Sequence, residues 1–399
     1  MSDFTRLKDC VVTNKNVIVR VDINVPMKDG KIEDDTRIKA VIPTIRYLVE
    51  NKAKVILISH FGRPKGKVNK EMSLKPLVAR IKDLLNDKVK VNFADDCVGE
   101  ETAKKVEDTA YGEVILLENL RFHNEETSND EGFSQKLASY GNLFVNDAFS
   151  CSHRAHASIV GISKKLKSCA GLLLQSELEN LEKHVNGAQK PMMAIIGGAK
   201  VSSKYDLINN LIKKADSIVI GGGMANSFLY AMGYNVGKSL CEKDLKERIL
   251  KTIEEAKKNN CNIILPSDVV VTKKFENNAK SSIVGVAKVE DDDIIGDIGE
   301  ESLKNLGDEV KKHKTILWNG PLGAFETKPF DNATSGLAKA IGYLTKNGKV
   351  VSVAGGGDVV SAINGVDVAN QFTYISTAGG AFLEWVEGKD LPGVAAIKI

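Results

Sequence analysis

The chain has 399 residues, of which 43% are hydrophobic and 27% charged, and its formal net charge is only +3. That composition belongs to globular chains, and the length favours two domains. So small a charge argues against nucleic acid or a membrane surface as partner, and no apolar run reaches the length of a bilayer span.

The opening stretch "MSDFTRLKDC" lacks the basic-then-apolar pattern of a secretion signal. The six cysteines are scattered without a CxxC pair, which predicts reduced thiols in a cytoplasmic protein. Two residue types are spread unevenly. Eight of the nine arginines precede residue 176, and 25 of the 34 glycines follow residue 175. The two halves are therefore expected to solve different chemical problems.

In chain order, the first half offers apolar runs at 16–25, 54–59, 90–93, 113–118 and 143–147. The second offers "MMAIIGG" (192–198), "SIVIGGG" (217–223), "NIILPSD" (262–268), "TILWNGP" (315–321), "VVSVAGGG" (350–357) and "TYIST" (373–377). Amphipathic helices are predicted at 36–51, 74–86, 203–214, 243–259 and 331–347. Short continuous apolar runs separated by such helices imply buried parallel strands covered on both faces. The fold class is α/β, with two doubly wound parallel-sheet (Rossmann-like) domains joined by a hinge helix. The join lies near 170–191. A capping box, Ser176 with Glu179, predicts a helix start at Ser176, and "NGAQKP" ends it before the next strand. Such a join serves either as a plain connector or as a pivot.

Ligands of open parallel sheets bind at the carboxyl ends of the strands. The first half places Asp22 and Asn24, His60 and Arg63, Arg121 and His123, and Arg154 and His156 just after its strands, with Arg37 following the first. Guanidinium forks match phosphate and carboxylate oxygens, so arginines from separate segments predict a shared site for a small polyanion. Asp22 would anchor a substrate hydroxyl or pair with an arginine; His123 would serve the ligand or a neighbouring carboxylate. "HRAH" has HxxH spacing but no evident third ligand, so a zinc site is not expected.

The second half ends its strands in glycine: Gly197-Gly198, Gly221-Gly222-Gly223, Gly320 with Gly323, Gly355-Gly356-Gly357, and Gly379-Gly380. Glycine lets backbone N–H groups approach a phosphate, and a helix N-terminus favours an anion. Together they predict a nucleotide polyphosphate across the sheet edge, although neither a P-loop nor a GxGxxG follows a strand. Lys200 and Lys204, spaced i, i+4, are expected one above the other on the first turns of a helix. Asn319 and Glu326 punctuate the next loop. Asp358 is either a helix N-cap or a ligand for Mg²⁺ beside the phosphates. A polyanion on one lobe and a nucleotide on the other point to phosphoryl transfer, with no obvious base in the glycine lobe.

The motifs "RVDINVP", "SHFGRP", "ENLRFH", "HRAHAS", "GGAKVSSK", "GGGMA", "WNGPLGAFE" and "GGGD" together closely resemble the phosphoglycerate kinase family, from about residue 5 to the end. The resemblance implies reversible transfer of a phosphoryl group from 1,3-bisphosphoglycerate to MgADP, giving 3-phosphoglycerate and MgATP, directly and in line after hinge closure. It implies Mg²⁺ as cofactor and a monomeric, cytoplasmic enzyme. It also implies a 3-phosphoglycerate domain at 1–172 with about 380–399, a hinge at 173–190 and a nucleotide domain at 191–379, the C-terminal "LPGVAAIKI" packing on the first lobe. By the same resemblance Asp22, Asn24, Arg37, His60, Arg63, Arg121 and Arg154 form the phosphoglycerate site. Arg37 and Lys200 would be the catalytic pair that steadies the transferring group. Gly198, Lys204, Gly222, Gly223, Asn319, Pro321, Gly323, Glu326, Gly355, Gly356, Gly357, Asp358 and Val359 would form the nucleotide site, with Asp358 toward the metal.

The chain departs from the family pattern at three places. Val359 stands where Thr or Ser is common, Ala378 where Gly is usual, and Cys151-Ser152 where small residues such as Gly-Thr are usual. These are expected to tune nucleotide affinity, and Ala378 is acceptable only if its φ is negative.

Overall fold

The computed structural model describes residues 4–398 and forms two compact units, Met1–Glu179 with Asp390–Ile399, and Asn180–Lys389. The strands of the first unit are β1 (Asn16–Arg20), β2 (Met27–Lys28), β3 (Lys31–Ile32), β4 (Lys54–Ile58), β5 (Val91–Ala94), β6 (Val114–Leu117), β7 (Leu143–Asn146) and β8 (Ser168–Ala170). Six of them make a parallel sheet in the order β5-β6-β4-β1-β7-β8; β2 and β3 are a small hairpin.

Both faces of that sheet are buried, which is why its strands read as unbroken apolar runs. Val17, Val19, Val55 and Leu57 point into one cluster, while Ile18, Ile56 and Ile58 point into another. Each such side chain contributes roughly 1.5–3 kcal/mol by leaving water. A one-residue slip would exchange the two faces, so the register is fixed.

The second unit continues with β9 (Met192–Ile196), β10 (Ser217–Ile220), β11 (Asn262–Ile264), β12 (Asp268–Thr272), β13 (Ser281–Gly285), β14 (Ile294–Ile298), β15 (Thr315–Asn319), β16 (Val351–Gly355) and β17 (Tyr374–Ser376). A second six-stranded sheet, equally parallel, runs β11-β10-β9-β15-β16-β17. The predicted helices form at Thr36–Glu50, Leu77–Leu84, Tyr205–Ile212, Lys246–Lys258 and Asn332–Lys346. Among the described residues no helix is long and apolar enough to cross a membrane.

Three local expectations are corrected. The run 262–268 is not one strand: Pro266 separates β11 from β12, and β12 belongs to an antiparallel sheet, β13-β12-β14, that the periodicity did not reveal. Ser176 does not start a helix; it lies inside Leu172–Leu181, which runs on into a π-helical stretch at Glu182–Asn186. That helix is instead capped from a distance, because the Asp147 carboxylate accepts the N–H groups of Leu173 (2.9 Å) and Leu174 (3.2 Å). Lys200 and Lys204 do not stack on a helix either. They flank a three-residue 3-10 turn, Val201–Ser203, and both have extended-range φ (−133° and −130°).

The last residues return to the first unit. The Gly393 N–H donates to the Ser152 carbonyl (2.8 Å), and Asn146 donates its amide to the Gly393 carbonyl (3.2 Å). Thr5 donates to the Ile397 carbonyl (3.2 Å), beside an antiparallel bridge between Phe4 and Lys398. The two ends of the chain thus complete one unit together.

Candidate functional site

In the first unit the predicted residues follow four adjacent strands, β6, β4, β1 and β7. Hydrogen bonds tie together the segments of Asp22, Asn24, Arg37 and Arg121. Arg37 donates from Nη1 to Asp22 Oδ2 (3.1 Å) and to the Asn24 carbonyl (3.1 Å). The Asn24 side-chain oxygen accepts from the Gly62 N–H (2.9 Å), and Arg121 Nη1 donates to the Gly62 carbonyl (2.8 Å). Asp22 also accepts from the Ser150 hydroxyl. Burial opposes ionisation of Asp22, but the positive groups around it, Arg37 and Arg20 among them, and the Ser150 hydroxyl favour the anion, and the carboxyl titrates below its usual range. Asp22 is thus a partner for an arginine.

Arg63, Arg121 and Arg154 line one cavity of about 380 Å³, together with Lys65, His123 and Thr127, and no carboxylate is among its lining residues. Arg63 and Arg154 are exposed, while Arg121 is half-buried and its buried Nε has no hydrogen-bond partner. Burial and the neighbouring Arg20 push the Arg121 pKa down, so its charge is held at a cost that an anion would relieve.

His60 is not a cation. It is 6% exposed, and burial followed by the Arg20 charge lowers its pKa well below the ordinary histidine value. Arg20 Nη2 lies 3.1 Å from His60 Nδ1. A guanidinium can only donate, so Nδ1 is the acceptor and the proton sits on Nε2. His123 does the opposite. It pairs through Nε2 with Asp96 Oδ1 at 2.7 Å, a hydrogen bond that raises its pKa. Of the "HRAH" pair, His153 accepts from Arg154 Nε (3.1 Å), while His156 faces the buried Glu126 carboxylate (3.6 Å).

Sequence reasoning missed Arg20 and Asn119, both fully buried. Arg20 donates to Ser158 Oγ (3.0 Å) and to the Val21 carbonyl, and Ser158 in turn donates to Glu126 (2.6 Å). Asn119 joins the loops after β4 and β6: its oxygen accepts from Phe61 and Arg121 N–H (3.0 Å each), and its amide donates to the Phe61 carbonyl (2.7 Å). Cys151 and Ser152 are buried behind this site and do not line the cavity.

The second unit carries a cavity of about 410 Å³ at the ends of β9, β10 and β15. Gly198, Gly222, Gly223, Pro321, Gly323, Glu326 and Asp358 line it. The small antiparallel sheet and its flanks add an apolar wall with Leu240, Pro266, Phe275 and Ile295, which no sequence motif had marked. Phe275 stacks on Phe330, with ring centroids 5.2 Å apart.

Lys204, Asn319, Gly355, Gly356, Gly357 and Val359 are not among the lining residues. Lys204 donates to the Gly197 carbonyl (2.7 Å) and to Asn319 Oδ1, and Asn319 donates to the Gly355 carbonyl (2.6 Å). Asn319, 3% exposed, therefore locks three strand ends together. Burial lowers the Lys204 pKa to about 8, with Asp358 acting in the other direction. Gly222 serves chain packing as much as any ligand: with φ +64° a Cβ there would meet the Gly198 carbonyl at 2.8 Å, and its N–H already donates to the Leu322 carbonyl (2.7 Å). Gly356 (φ +102°) caps the helix Gly357–Gly365, whose first-turn N–H groups have no acceptor within the helix. Asp358 is exposed on that first turn.

The Val359 side chain is fully buried in the hydrophobic core of the unit, so position 359 has only its first-turn backbone N–H to turn toward a ligand. Ala378 has no left-handed backbone; the positive φ falls on Gly379.

A model of the family described as phosphoglycerate kinase matches residues 7–389. A phosphoglycerate kinase of Rhodopseudomonas palustris is 52% identical over 396 residues, covering 99% of each chain. One of Sinorhizobium medicae is 51% identical over 387 residues, covering 97% of this chain and 96% of that one. Among solved structures, the phosphoglycerate kinase of Coxiella burnetii superposes with a TM-score of 0.89 at 38% identity, covering 99% of this chain and 98% of that one. That of Pyrococcus horikoshii gives 0.83 at 31%, covering 98% of both.

Proposed function

Because the chain belongs to the phosphoglycerate kinase family, and so interconverts 1,3-bisphosphoglycerate plus ADP with 3-phosphoglycerate plus ATP, we propose that its first unit holds the phosphoglycerate and its second the nucleotide. The reading rests on one contrast: a cavity walled by arginines with no carboxylate in one unit, and a glycine-edged apolar cavity in the other.

Arg63, Arg121 and Arg154 take the phosphate of the phosphoglycerate, where forked donors suit a dianion. Asp22, Asn24 and His60 take its glycerate end, His60 as a neutral Nε2–H donor. Arg37 and Lys200 steady the phosphoryl group in transit. The acceptor carboxylate is already an anion, so the reaction asks for positioning and charge neutralisation and needs no base. Transfer is direct and in line after closure at the hinge helix.

On the nucleotide side, Leu240 and Phe275 face the base, and the phosphates run toward Lys204 and the start of the Gly357–Gly365 helix. The residues present fit Mg²⁺: Asp358 is an exposed oxygen donor on the cavity wall, and this ion takes one or two carboxylates plus phosphate oxygens. Mg²⁺ held there would offset phosphate charge. The six free thiols support a reducing compartment, and we read the enzyme as a cytoplasmic monomer.

The test is ATP consumption by the full chain with Mg²⁺ and 3-phosphoglycerate, acetate or carbamate as acceptor. Turnover on 3-phosphoglycerate alone supports the assignment. Equal turnover on acetate or carbamate, or anion binding without turnover, overturns it.

A further inference from the structure

The turn that carries Lys200 is held by a residue 42 positions further along the chain. Lys200 itself is exposed and begins the three-residue turn Val201–Ser203, in which Val201 is buried. Both carboxylate oxygens of Glu242 accept from the middle residue. The Ser202 N–H donates to Oε2 (3.0 Å) and the Ser202 hydroxyl to Oε1 (2.5 Å). Partial burial opposes ionisation of Glu242, but these two hydrogen bonds, together with the Val201 N–H and the Lys200 charge, outweigh it and hold the carboxyl below its ordinary range. The acceptor is therefore an anion at neutral pH, and charge-assisted bonds of this kind are the stronger ones.

Glu242 is itself well anchored. Its N–H donates to Ser227 Oγ (2.9 Å). Two residues earlier, the Leu240 carbonyl accepts from the Asn226 amide (3.2 Å), and Ser239 Oγ accepts from the Ile295 N–H (2.9 Å). Asn226, Leu240 and Ile295 all line the nucleotide cavity. The segment Ser239–Glu242 thus runs from the cavity wall to the Lys200 turn.

A lysine side chain is long and mobile, so where its ammonium reaches depends on how firmly its backbone is fixed. We propose that Glu242 is a positioning residue for phosphoryl transfer, fixing the Lys200 turn through its two hydrogen bonds to Ser202. The proposal rests on the reading of Lys200 as a group that steadies the transferring phosphoryl.

The experiment is steady-state kinetics of the full chain with 3-phosphoglycerate and MgATP, together with amide hydrogen exchange at Ser202. Glu242→Ala is expected to lower kcat about tenfold with both KM values within about twofold of the parent, because a small misplacement costs turnover before it costs binding. Its Ser202 amide should lose protection. Glu242→Gln should recover to within about threefold, since its amide oxygen still accepts one bond and its NH₂ donates to the Ser202 hydroxyl. Ser202→Ala, which keeps the N–H bond, should fall in between and decides the matter should Glu242→Ala not fold. The double variant Lys200→Ala/Glu242→Ala should be no slower than Lys200→Ala. Losses that multiply in the double variant, or parental kcat in Glu242→Ala beside a slow Lys200→Ala, overturn the proposal alone. Parental kcat in Lys200→Ala overturns the reading of Lys200.

Discussion

Arg20 Nη2 and His60 Nδ1 lie 3.1 Å apart, and both side chains are buried. One strand end thereby supplies a buried cation that fixes the tautomer of the histidine on the next strand and adds to the burial that keeps it neutral. The same guanidinium reaches the buried Glu126 carboxylate through Ser158.

Removing Arg20 takes the guanidinium charge away from Glu126, which is 0% exposed, and leaves it with only Ser158 and His156. Breaking a buried charge arrangement by deleting one partner costs about 3–5 kcal/mol. Arg20→Met is expected to lose that much in urea unfolding of the full chain. An unchanged urea midpoint would show that Glu126 does not depend on Arg20.

The depressed pKa of His60 sets the direction of an acid effect. The unfolded histidine takes up a proton near its ordinary value of 6.5, whereas the folded one does not until a much lower pH. Between those values the unfolded state binds more protons. The His60 contribution is therefore fully present above pH 6.5 and is lost as the pH falls from there toward the folded pKa. Urea midpoints taken between about pH 7.5 and 5 should fall less steeply for His60→Gln than for the parent. Parallel curves would contradict a neutral His60.

Lys204 titrates at about 8 in the free protein because it is buried. Nucleotide phosphates beside it would restore its charge, so binding near pH 8 should take up roughly half a proton. Titration calorimetry in two buffers of different ionisation enthalpy reads this directly. Enthalpies that do not depend on the buffer would place Lys204 away from the phosphates.

The core position of Val359 makes a simple prediction about the family's usual hydroxyl there. Val359→Thr is expected to cost about 1 kcal/mol of stability, because a hydroxyl enters an apolar cluster. The nucleotide Kd should stay within about twofold of the parent, because the side chain faces away from the cavity. A gain in nucleotide affinity of tenfold or more would reverse that orientation.

Much of the architecture is legible in the sequence because both faces of each large sheet are covered. Double burial writes an unbroken apolar run, and the residues just after the run are then candidates for the site. His60, Arg121 and Asp358 could be found in this way. Arg20 could not, because it ends the run "NVIVR" inside the strand and reads as its first polar boundary. The cap on helix Leu172–Leu181 comes from Asp147, 26 residues away from Leu173, and local spacing cannot announce it. The antiparallel sheet was missed for a different reason. Its edge strand "SSIVG" is partly exposed along its length and carries no apolar periodicity, so nothing announced the sheet whose other strands wall the cavity of the second unit. Glu242 and Asn119 act through contacts that only the folded chain creates.

The pairing of the two chain ends has a consequence for how the molecule is born. Thr5 meets Ile397, and Gly393 meets Ser152 and Asn146 at the end of β7. Synthesis delivers the first unit early, yet its seam stays open until Gly393 and Ile397 have been made. The second unit, translated later, has all its residues while the first still waits for its last strip of chain. Maturation order thus runs against reading order: the unit that opens the chain is the one closed last.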